Sequence, residues 1–220
     1  MGISSSRTTW FTALALLLTF WSGWWGRGVY FRQGADEIRK HYEERLVALL
    51  DHDAAHLGKP YEEAKRGARS WNEEFKMLFY IMMRSDMDRL PTAQLVETAV
   101  QQSTVPRSIK AQTTAHLLDQ HERAKELGLY DTPLNRNKLI LGQSPIIHRG
   151  VDTGDVATVD HRVPTSLVPQ LGRLPLNLVW MSRRENSTKR DEVSADGIDL
   201  MDQVVDASLF PEPHPDLSLL

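Results

Sequence analysis

The chain contains no cysteine among its 220 residues. Disulfide bonds, thiolate metal sites and a cysteine nucleophile are therefore excluded. A chain without thiols folds in oxidising and reducing compartments alike, so this absence does not identify the compartment. A large excess of charge of one sign is also missing, because 26 Lys and Arg face 29 Asp and Glu. The resulting net charge of −3 argues against a protein that coats nucleic acid by bulk electrostatics.

The remaining composition is that of a globular protein. Apolar residues make up 41% of the chain and charged residues 25%, which excludes wholesale disorder, a collagen-like chain and a polytopic membrane protein. A typical domain has about 100 to 200 residues. The length therefore allows one domain together with a tail or a membrane segment, and excludes two full enzyme domains.

One long uncharged run stands near the amino terminus, at residues 8–26. A helix of this length spans about 28 Å, against a hydrocarbon core of about 30 Å. Tryptophans at both ends are typical of the aromatic belt of membrane proteins. We therefore expect residues 1–26 to form an uncleaved membrane anchor, with the membrane as a partner through residues 8–26. A cleaved signal peptide is the competing interpretation.

Basic residues predict the orientation of this anchor. One arginine, Arg7, precedes the uncharged run, whereas the basic residues that follow it closely are Arg27, Arg32, Arg39, Lys40 and Arg45. The positive-inside rule then predicts a single-pass membrane protein whose body is cytoplasmic. Cleavage as a signal peptide would instead place the body in the periplasm or outside the cell.

Residues 35–130 have the apolar periodicity of a helical subdomain. The stretch Tyr61–Met83 is its most aromatic part and is the predicted core helix. His116 and His121 are five residues apart, which does not place them on one helix face, and we expect them at the surface. Further helices are predicted over Ala35–Leu57, from Thr92, and from about Arg107 to Leu127.

After residue 137 the pattern changes to short apolar runs bounded by Gly, Pro and Asp, and strands are predicted to begin at Leu139–Gly142. The runs Val156–Val159 and Leu178–Met181 predict two further strands. Directly after them, Ser182 and Glu185 fit a capping box, so a helix should start near Arg183. The predicted fold class is α+β.

This last unit carries the residues that suggest chemistry. Asp160 and His161 end the first strand, while Asn186, Lys189 and Arg190 share one face of a helix that can pack across it. Carboxylate and amide oxygens are ligands that magnesium accepts, together with waters and substrate phosphate. A histidine beside them is free to act as a base on water.

The same residues carry a family resemblance. The strings VDHRVP (159–164), NL (177–178) and NSTKRD (186–191) closely resemble the pattern DHxxP, NL and NxxKxD of the HNH endonucleases. The match is especially to the thiolate-free HNH domains, including those embedded in CRISPR effector nucleases. The resemblance covers about Pro145–Asp196 and implies a small ββα-metal module at residues 140–196. About 40 residues bury too little apolar surface to stand alone, so we expect the module to pack against the helical face with Trp71, Phe75 and Phe79.

The resemblance implies a role for each matching residue. His161 would be the general base, and Asp160 and Asn186 would hold one divalent metal ion, with Mg²⁺ expected. Asn177 would pin the loop that orients the histidine, and Lys189 would stabilise developing negative charge. Four basic residues near the motif are not family signatures but are predicted nucleic-acid contacts: Arg162, Arg183, Arg184 and Arg190.

The sequence thus predicts an anchor helix, a helical subdomain, an HNH-like module and, at residues 197–220, an acidic tail with five acidic residues and no Lys or Arg. The predicted function is a membrane-anchored, metal-dependent HNH-type endonuclease that cleaves nucleic-acid phosphodiester bonds, with DNA favoured over RNA. Residues 144–196 hold seven basic and seven acidic residues, a modest charge for a DNA-binding module. The alternative is a membrane-anchored helical interaction protein with a degenerate module that does not cleave.

Overall fold

The computed structural model describes residues 34–52, 54, 55, 57, 72–189, 192, 193 and 195–206. The chain divides into two compact units, Met1–His41 and Tyr42–Leu220. In the first unit, residues 34–41 are described and are helical. The second unit is mostly helical and contains a small antiparallel sheet of two strands. The predicted α+β fold class is therefore confirmed.

Helices precede the sheet along the chain, as predicted. A 3₁₀ turn at Arg107–Ile109 leads into the fourth helix, and two more, Pro169–Arg173 and Pro175–Asn177, lie between the strands. The helices before the sheet are α1 (34–52), α2 (Asn72–Met87), α3 (Thr92–Gln102), α4 (Lys110–Glu126) and α5 (Pro133–Ile140). The remaining elements are β1 (Ala157–His161), β2 (Leu178–Ser182), α6 (Arg183–Lys189) and α7 (Ala195–Asp206).

The core joins the helices to the sheet through aromatic contacts. Phe75 and Phe79 of α2 are fully buried, and their ring centroids lie 6.0 Å and 5.5 Å from that of Trp180 on β2. Each such buried side chain contributes about 1.5 to 3 kcal/mol by the area it removes from water. The expected packing of the sheet against Phe75 and Phe79 is confirmed, whereas Trp71 lies outside the described residues.

Helix α4 covers the outer edge of β2. The inner edge pairs with β1, in a register that sets Ala157 opposite Ser182 and His161 opposite Leu178. On the other edge, the Trp180 backbone N–H donates to Gln120 Oε1 at 2.9 Å. His116 Nε2 lies 2.8 Å from the Leu178 carbonyl oxygen. These side chains satisfy backbone groups that an exposed edge strand would leave open to another chain.

The strand predicted at Leu139–Gly142 is wrong, because Leu139 belongs to the last turn of α5. The side chain of Thr132 accepts a hydrogen bond from the Asn135 N–H at 3.2 Å, and proline occupies the first helical position. Both are strong helix-start signals. Gly142 then ends the segment with a φ of 65°, and a Cβ there would lie 2.7 Å from Glu73. The helix-start signals at Thr132 and Pro133 therefore determine the local structure, and the apolar run at Leu139 does not form a strand.

The predicted single-pass membrane localisation is also wrong. Within the described ranges, no helix is both long enough and apolar enough to cross a bilayer. Helix α2 has 16 residues and α4 has 17, or about 24 to 26 Å at the rise of an α-helix. Helix α1 carries charged residues from its first turns onward, beginning with Asp36 and Glu37. Residues 8–26, on which the anchor prediction was based, lie outside the described residues.

Candidate functional site

Strand β1 presents different side chains to its two faces, because successive residues of a strand alternate. Ala157 and Val159 are buried in the core, whereas Thr158 and Asp160 face α6. Asn186 Nδ2 of α6 donates to Thr158 Oγ1 at 3.4 Å, and Lys189 Nζ donates to Asp160 Oδ2 at 2.7 Å. Asn186 and Lys189 therefore contact neighbouring positions on one face of β1, and Asp160, Asn186 and Lys189 are called the β1–α6 cluster below.

A capping box positions α6 directly after β2. The Glu185 N–H donates to Ser182 Oγ at 3.0 Å, and the Ser182 N–H donates to Glu185 Oε2 at 2.9 Å. This is the reciprocal arrangement predicted from the sequence, and the prediction is confirmed. Asp155 Oδ2 accepts from the Arg184 N–H at 3.0 Å. The hydrogen bonds from the Arg184 and Val156 amides lower the pKa of Asp155.

Two oxygens converge on the ammonium group of Lys189. Besides Asp160 Oδ2, the Lys189 Nζ contacts the backbone carbonyl oxygen of His161. The side chains of Lys189 and Asp160 are each only 17% exposed, so the ion pair is shielded from water more than an ordinary surface pair. The cluster is thus a place where oxygens already hold a cation.

The donor set fits a small, hard divalent ion only with help from other ligands. Within the described part of the chain, no group of three or more His, Cys, Asp or Glu side chains could hold a metal. The cluster could contribute the Asp160 carboxylate and the Asn186 amide oxygen. Magnesium binds in proteins through one or two carboxylates together with waters and substrate phosphates. The residues present therefore fit such an ion, provided that it brings its own water and phosphate ligands.

The imidazole of His161 points away from the cluster. Its Nε2 lies 3.0 Å from the carbonyl oxygen of Gly172, as expected for the neighbour of Asp160 on a strand. Burial lowers the pKa of His161; the Gly172 carbonyl and the charge of Asp160 act in the opposite direction, and Lys189 lowers it further. The ring is therefore neutral at pH 7. Because Nε2–H donates to Gly172, the lone pair is on Nδ1.

Asn177 holds the loop that in turn holds His161. The residue is fully buried, and its Oδ1 accepts from the Val163 N–H at 2.7 Å. Its Nδ2 donates to the carbonyl oxygens of Val163, at 2.9 Å, and Leu171, at 3.1 Å. Leu171 precedes Gly172, the hydrogen-bond partner of His161. Asn177 is thus placed to orient the imidazole, as the family resemblance implied; an effect on catalysis stays a prediction.

The predicted nucleic-acid contacts have different surroundings. Arg162 Nη1 donates to the Leu176 carbonyl oxygen at 3.2 Å, and Nη2 contacts the Asp196 carbonyl oxygen, so this side chain ties the inter-strand loop to α7. Arg184 is 70% exposed and pairs with Asp152. Arg183 is exposed on α6, and Arg190 lies outside the described residues. Phosphate binding by these four residues stays a prediction.

The expectation that His116 and His121 lie at the surface is wrong. His116 is partly buried against β2. His121 is 2% exposed, with Nδ1 2.9 Å from the Tyr130 hydroxyl and Nε2 2.9 Å from Asp86 Oδ2. The signal was present in the sequence, because His121 lies four residues after Leu117 and three before Ala124. These residues share the buried face of α4.

The structure thus brings Asp160, Asn186 and Lys189 into one cluster and places Asn177 beneath the loop that holds His161. None of the hydrogen bonds among the described residues joins the His161 ring to the cluster. The charges of Asp160 and Lys189 nevertheless act on the pKa of His161, so the ring lies within their electrostatic reach. The chain matches no protein-family model, no curated protein and no solved structure.

Proposed function

We propose that the protein is a metal-dependent HNH-type endonuclease that hydrolyses phosphodiester bonds of nucleic acid, with DNA as the preferred substrate. One observation carries the proposal: Asn186 and Lys189 of α6 contact Thr158 and Asp160 on the same face of β1, and the neutral His161 follows Asp160, with its ring turned toward Gly172. Metal-dependent phosphodiester hydrolysis at neutral pH uses a cation site, a base for water and positive charge near the phosphate. These residues supply all three kinds of group.

His161 is suited to the role of base by its protonation state. Burial lowers the pKa of the imidazole, so the ring has a free lone pair at neutral pH, and the hydrogen bond to Gly172 assigns that lone pair to Nδ1. Nδ1 would take one proton from a water molecule. The water oxygen then forms a bond to phosphorus, and the opposite P–O bond breaks with its electron pair going to the leaving oxygen, which is protonated from solvent.

Asp160 and Asn186 would hold the divalent ion through a carboxylate and an amide oxygen. Support for a cation at this place comes from the ammonium of Lys189, which already lies between Asp160 Oδ2 and the His161 carbonyl. When bound, the ion would stabilise negative charge on the phosphate and on the leaving oxygen. Lys189 would pair with a phosphate oxygen once its ammonium leaves Asp160.

Cleavage of plasmid DNA by the full chain, with and without Mg²⁺, tests the proposal. We expect metal-dependent nicking by the wild-type protein and a rate about 10² to 10⁴ lower for His161→Ala, the usual span for a general base. Metal binding should survive in this variant, because both proposed ligands remain. The matched control is His148→Ala, which removes an exposed histidine on the loop before β1 and should cleave at the wild-type rate.

If these expectations fail, one structural observation favours a second candidate function. If the folded wild-type chain does not cleave with Mg²⁺ or Mn²⁺, or if His161→Ala cleaves at the wild-type rate, the nuclease proposal is wrong. The second candidate is then a helical interaction protein whose HNH-like unit does not cleave. The observation that favours it is the ion pair of Lys189 with Asp160, which neutralises the only carboxylate of the cluster.

A further inference from the structure

The ammonium of Lys189 contacts one carboxylate oxygen of Asp160, the proposed metal ligand. Its Nζ is 2.7 Å from Asp160 Oδ2 and also contacts the His161 carbonyl oxygen. Asn186, one helical turn earlier, faces the same side of β1. Lys189 therefore does for Asp160 what a bound cation would do, because it compensates a carboxylate that is only 17% exposed.

We propose that Lys189 is an internal competitor of the divalent cation, and that phosphate relieves this competition. The proposal rests on the metal site of the proposed function and adds its regulation. A divalent ion binds at Asp160 only when the ammonium moves away, and a phosphate group at the site gives that ammonium another anionic partner. Metal ion and phosphate therefore bind with positive cooperativity, and the site takes up metal together with its substrate.

Charge balance gives the physical reason. Two cations within about 4 Å of each other repel, and the repulsion is stronger in a partly desolvated site than in water. Lys189 loses its carboxylate partner when the metal binds, and an unpaired charge in a shielded position is costly. A phosphate oxygen removes this cost. By linkage, phosphate must raise the affinity for the metal by the same factor as the metal raises the affinity for phosphate.

The position of Lys189 in α6 allows this exchange without unfolding the site. None of the side chains of Arg183–Lys189 is buried, and the helix is held at its beginning by Ser182 and Glu185. Lys189 is the last residue of the helix and has a flexible four-carbon stem. The side chain can move from one anion to another while Asn186 keeps its place.

Metal affinity measured in the absence of nucleic acid is the first test. The full chain is titrated with Mn²⁺ and the bound ion is followed by electron paramagnetic resonance. Lys189→Met should bind Mn²⁺ about 5- to 150-fold more tightly than wild type, the usual range of a coupling between sites, and Lys189→Gln should show the same gain. Lys189→Arg keeps the charge and should show no gain. Lys138→Met, which removes a positive charge on α5, is the control and should show no gain in affinity. Asp160→Ala should abolish tight Mn²⁺ binding in the Lys189→Met background.

Response to inorganic phosphate is the second test. Phosphate should tighten Mn²⁺ binding by the wild-type chain and should have little effect on Lys189→Met. Circular dichroism verifies that each variant is folded. If folded Lys189→Met and Lys189→Gln bind Mn²⁺ no more tightly than wild type, the proposed competition between Lys189 and the metal ion is wrong.

The two proposals fail in different ways. Tighter Mn²⁺ binding by Lys189→Met, in a chain whose wild type does not cleave DNA, supports the competition and contradicts the nuclease. Metal-dependent cleavage by the wild type with unchanged affinity in Lys189→Met contradicts the competition alone. If no form of the chain binds Mn²⁺, both are wrong.

Discussion

At the scale of single residues, Asn177 shows how one amide can organise a loop. It has no exposed surface, and its side chain satisfies one backbone N–H and two backbone carbonyl groups. Its own backbone oxygen accepts from the Arg162 N–H at 2.7 Å. The amide is needed here because only a side chain that both donates and accepts can serve these partners.

Asn177→Asp should therefore be strongly destabilising although the two residues have nearly the same shape. The carboxylate keeps the acceptor for the Val163 N–H but faces the carbonyl oxygens of Val163 and Leu171 without a donor. We expect the free energy of unfolding to fall by about 2 to 4 kcal/mol, measured by urea denaturation. Asn137→Asp, at an exposed position of α5, is the control and should change it by less than about 0.5 kcal/mol. A loss below about 1 kcal/mol for Asn177→Asp would contradict the assigned hydrogen bonds.

At the scale of elements, α6 depends on its cap. It has seven residues and no buried side chain, whereas isolated helices shorter than about 12 to 15 residues are marginal in water. Its stability must therefore come from the capping box, from its contacts with Thr158 and Asp160, and from those of Arg184 with Asp152 and Asp155. Asn186 and Lys189 are both in this helix, so the cap also determines whether the β1–α6 cluster forms.

Ser182→Ala tests this dependence. The substitution removes the acceptor of the Glu185 N–H and should lower the free energy of unfolding by about 1 kcal/mol. It should also weaken Mn²⁺ binding, because Asn186 is held less firmly. Ser187→Ala is the matched control, since the Ser187 hydroxyl is exposed and donates only to the Arg183 carbonyl of the same helix. Equal effects of the two substitutions on metal binding would show that the cap does not support the site.

At the scale of the whole molecule, three neutral histidines join different parts of the fold. His116 contacts β2, His121 contacts Asp86 of α2, and His161 contacts the loop between the strands. Burial lowers the pKa of His116, His121 and His161. His121 lies between Tyr130 and Asp86, which also pairs with Lys125. The carboxylate of Asp86 raises the pKa of His121 and the charge of Lys125 lowers it, and burial is the largest influence.

Stability should consequently fall in mild acid. A histidine in the unfolded chain protonates near pH 6.5, whereas these folded histidines stay neutral to lower pH. Below about pH 6.5 the unfolded state binds more protons, so the free energy of unfolding decreases as the pH falls toward the folded pKa values. Urea denaturation at about pH 7.5 and pH 5 should show a lower midpoint in acid. His148→Asn, at an exposed position, should leave this difference unchanged; a higher midpoint in acid would contradict the prediction.

Short-range signals in the sequence determine several of the elements of this fold. The runs around Val159 and Trp180 predicted both strands, and Ser182 with Glu185 predicted the start of α6. These predictions hold because capping and strand formation depend on residues a few positions apart. The strand predicted at Leu139 is wrong for the same kind of reason, because the helix-start signal at Thr132 and Pro133 outweighs the apolar run.

Tertiary structure alone decided how these elements meet. Gln120 reaches the Trp180 amide across 60 positions of sequence, and Lys189 reaches Asp160 across 29. The apolar periodicity of the sequence does not indicate which helix covers the edge of β2. It also does not indicate that the ammonium of Lys189 pairs with Asp160, the carboxylate predicted to hold a metal. The strand pattern likewise does not indicate that the ring of His161 contacts the carbonyl oxygen of Gly172, in the loop between the strands. Such contacts follow from which faces pack together, and that is determined by burial of the whole core rather than by any short segment.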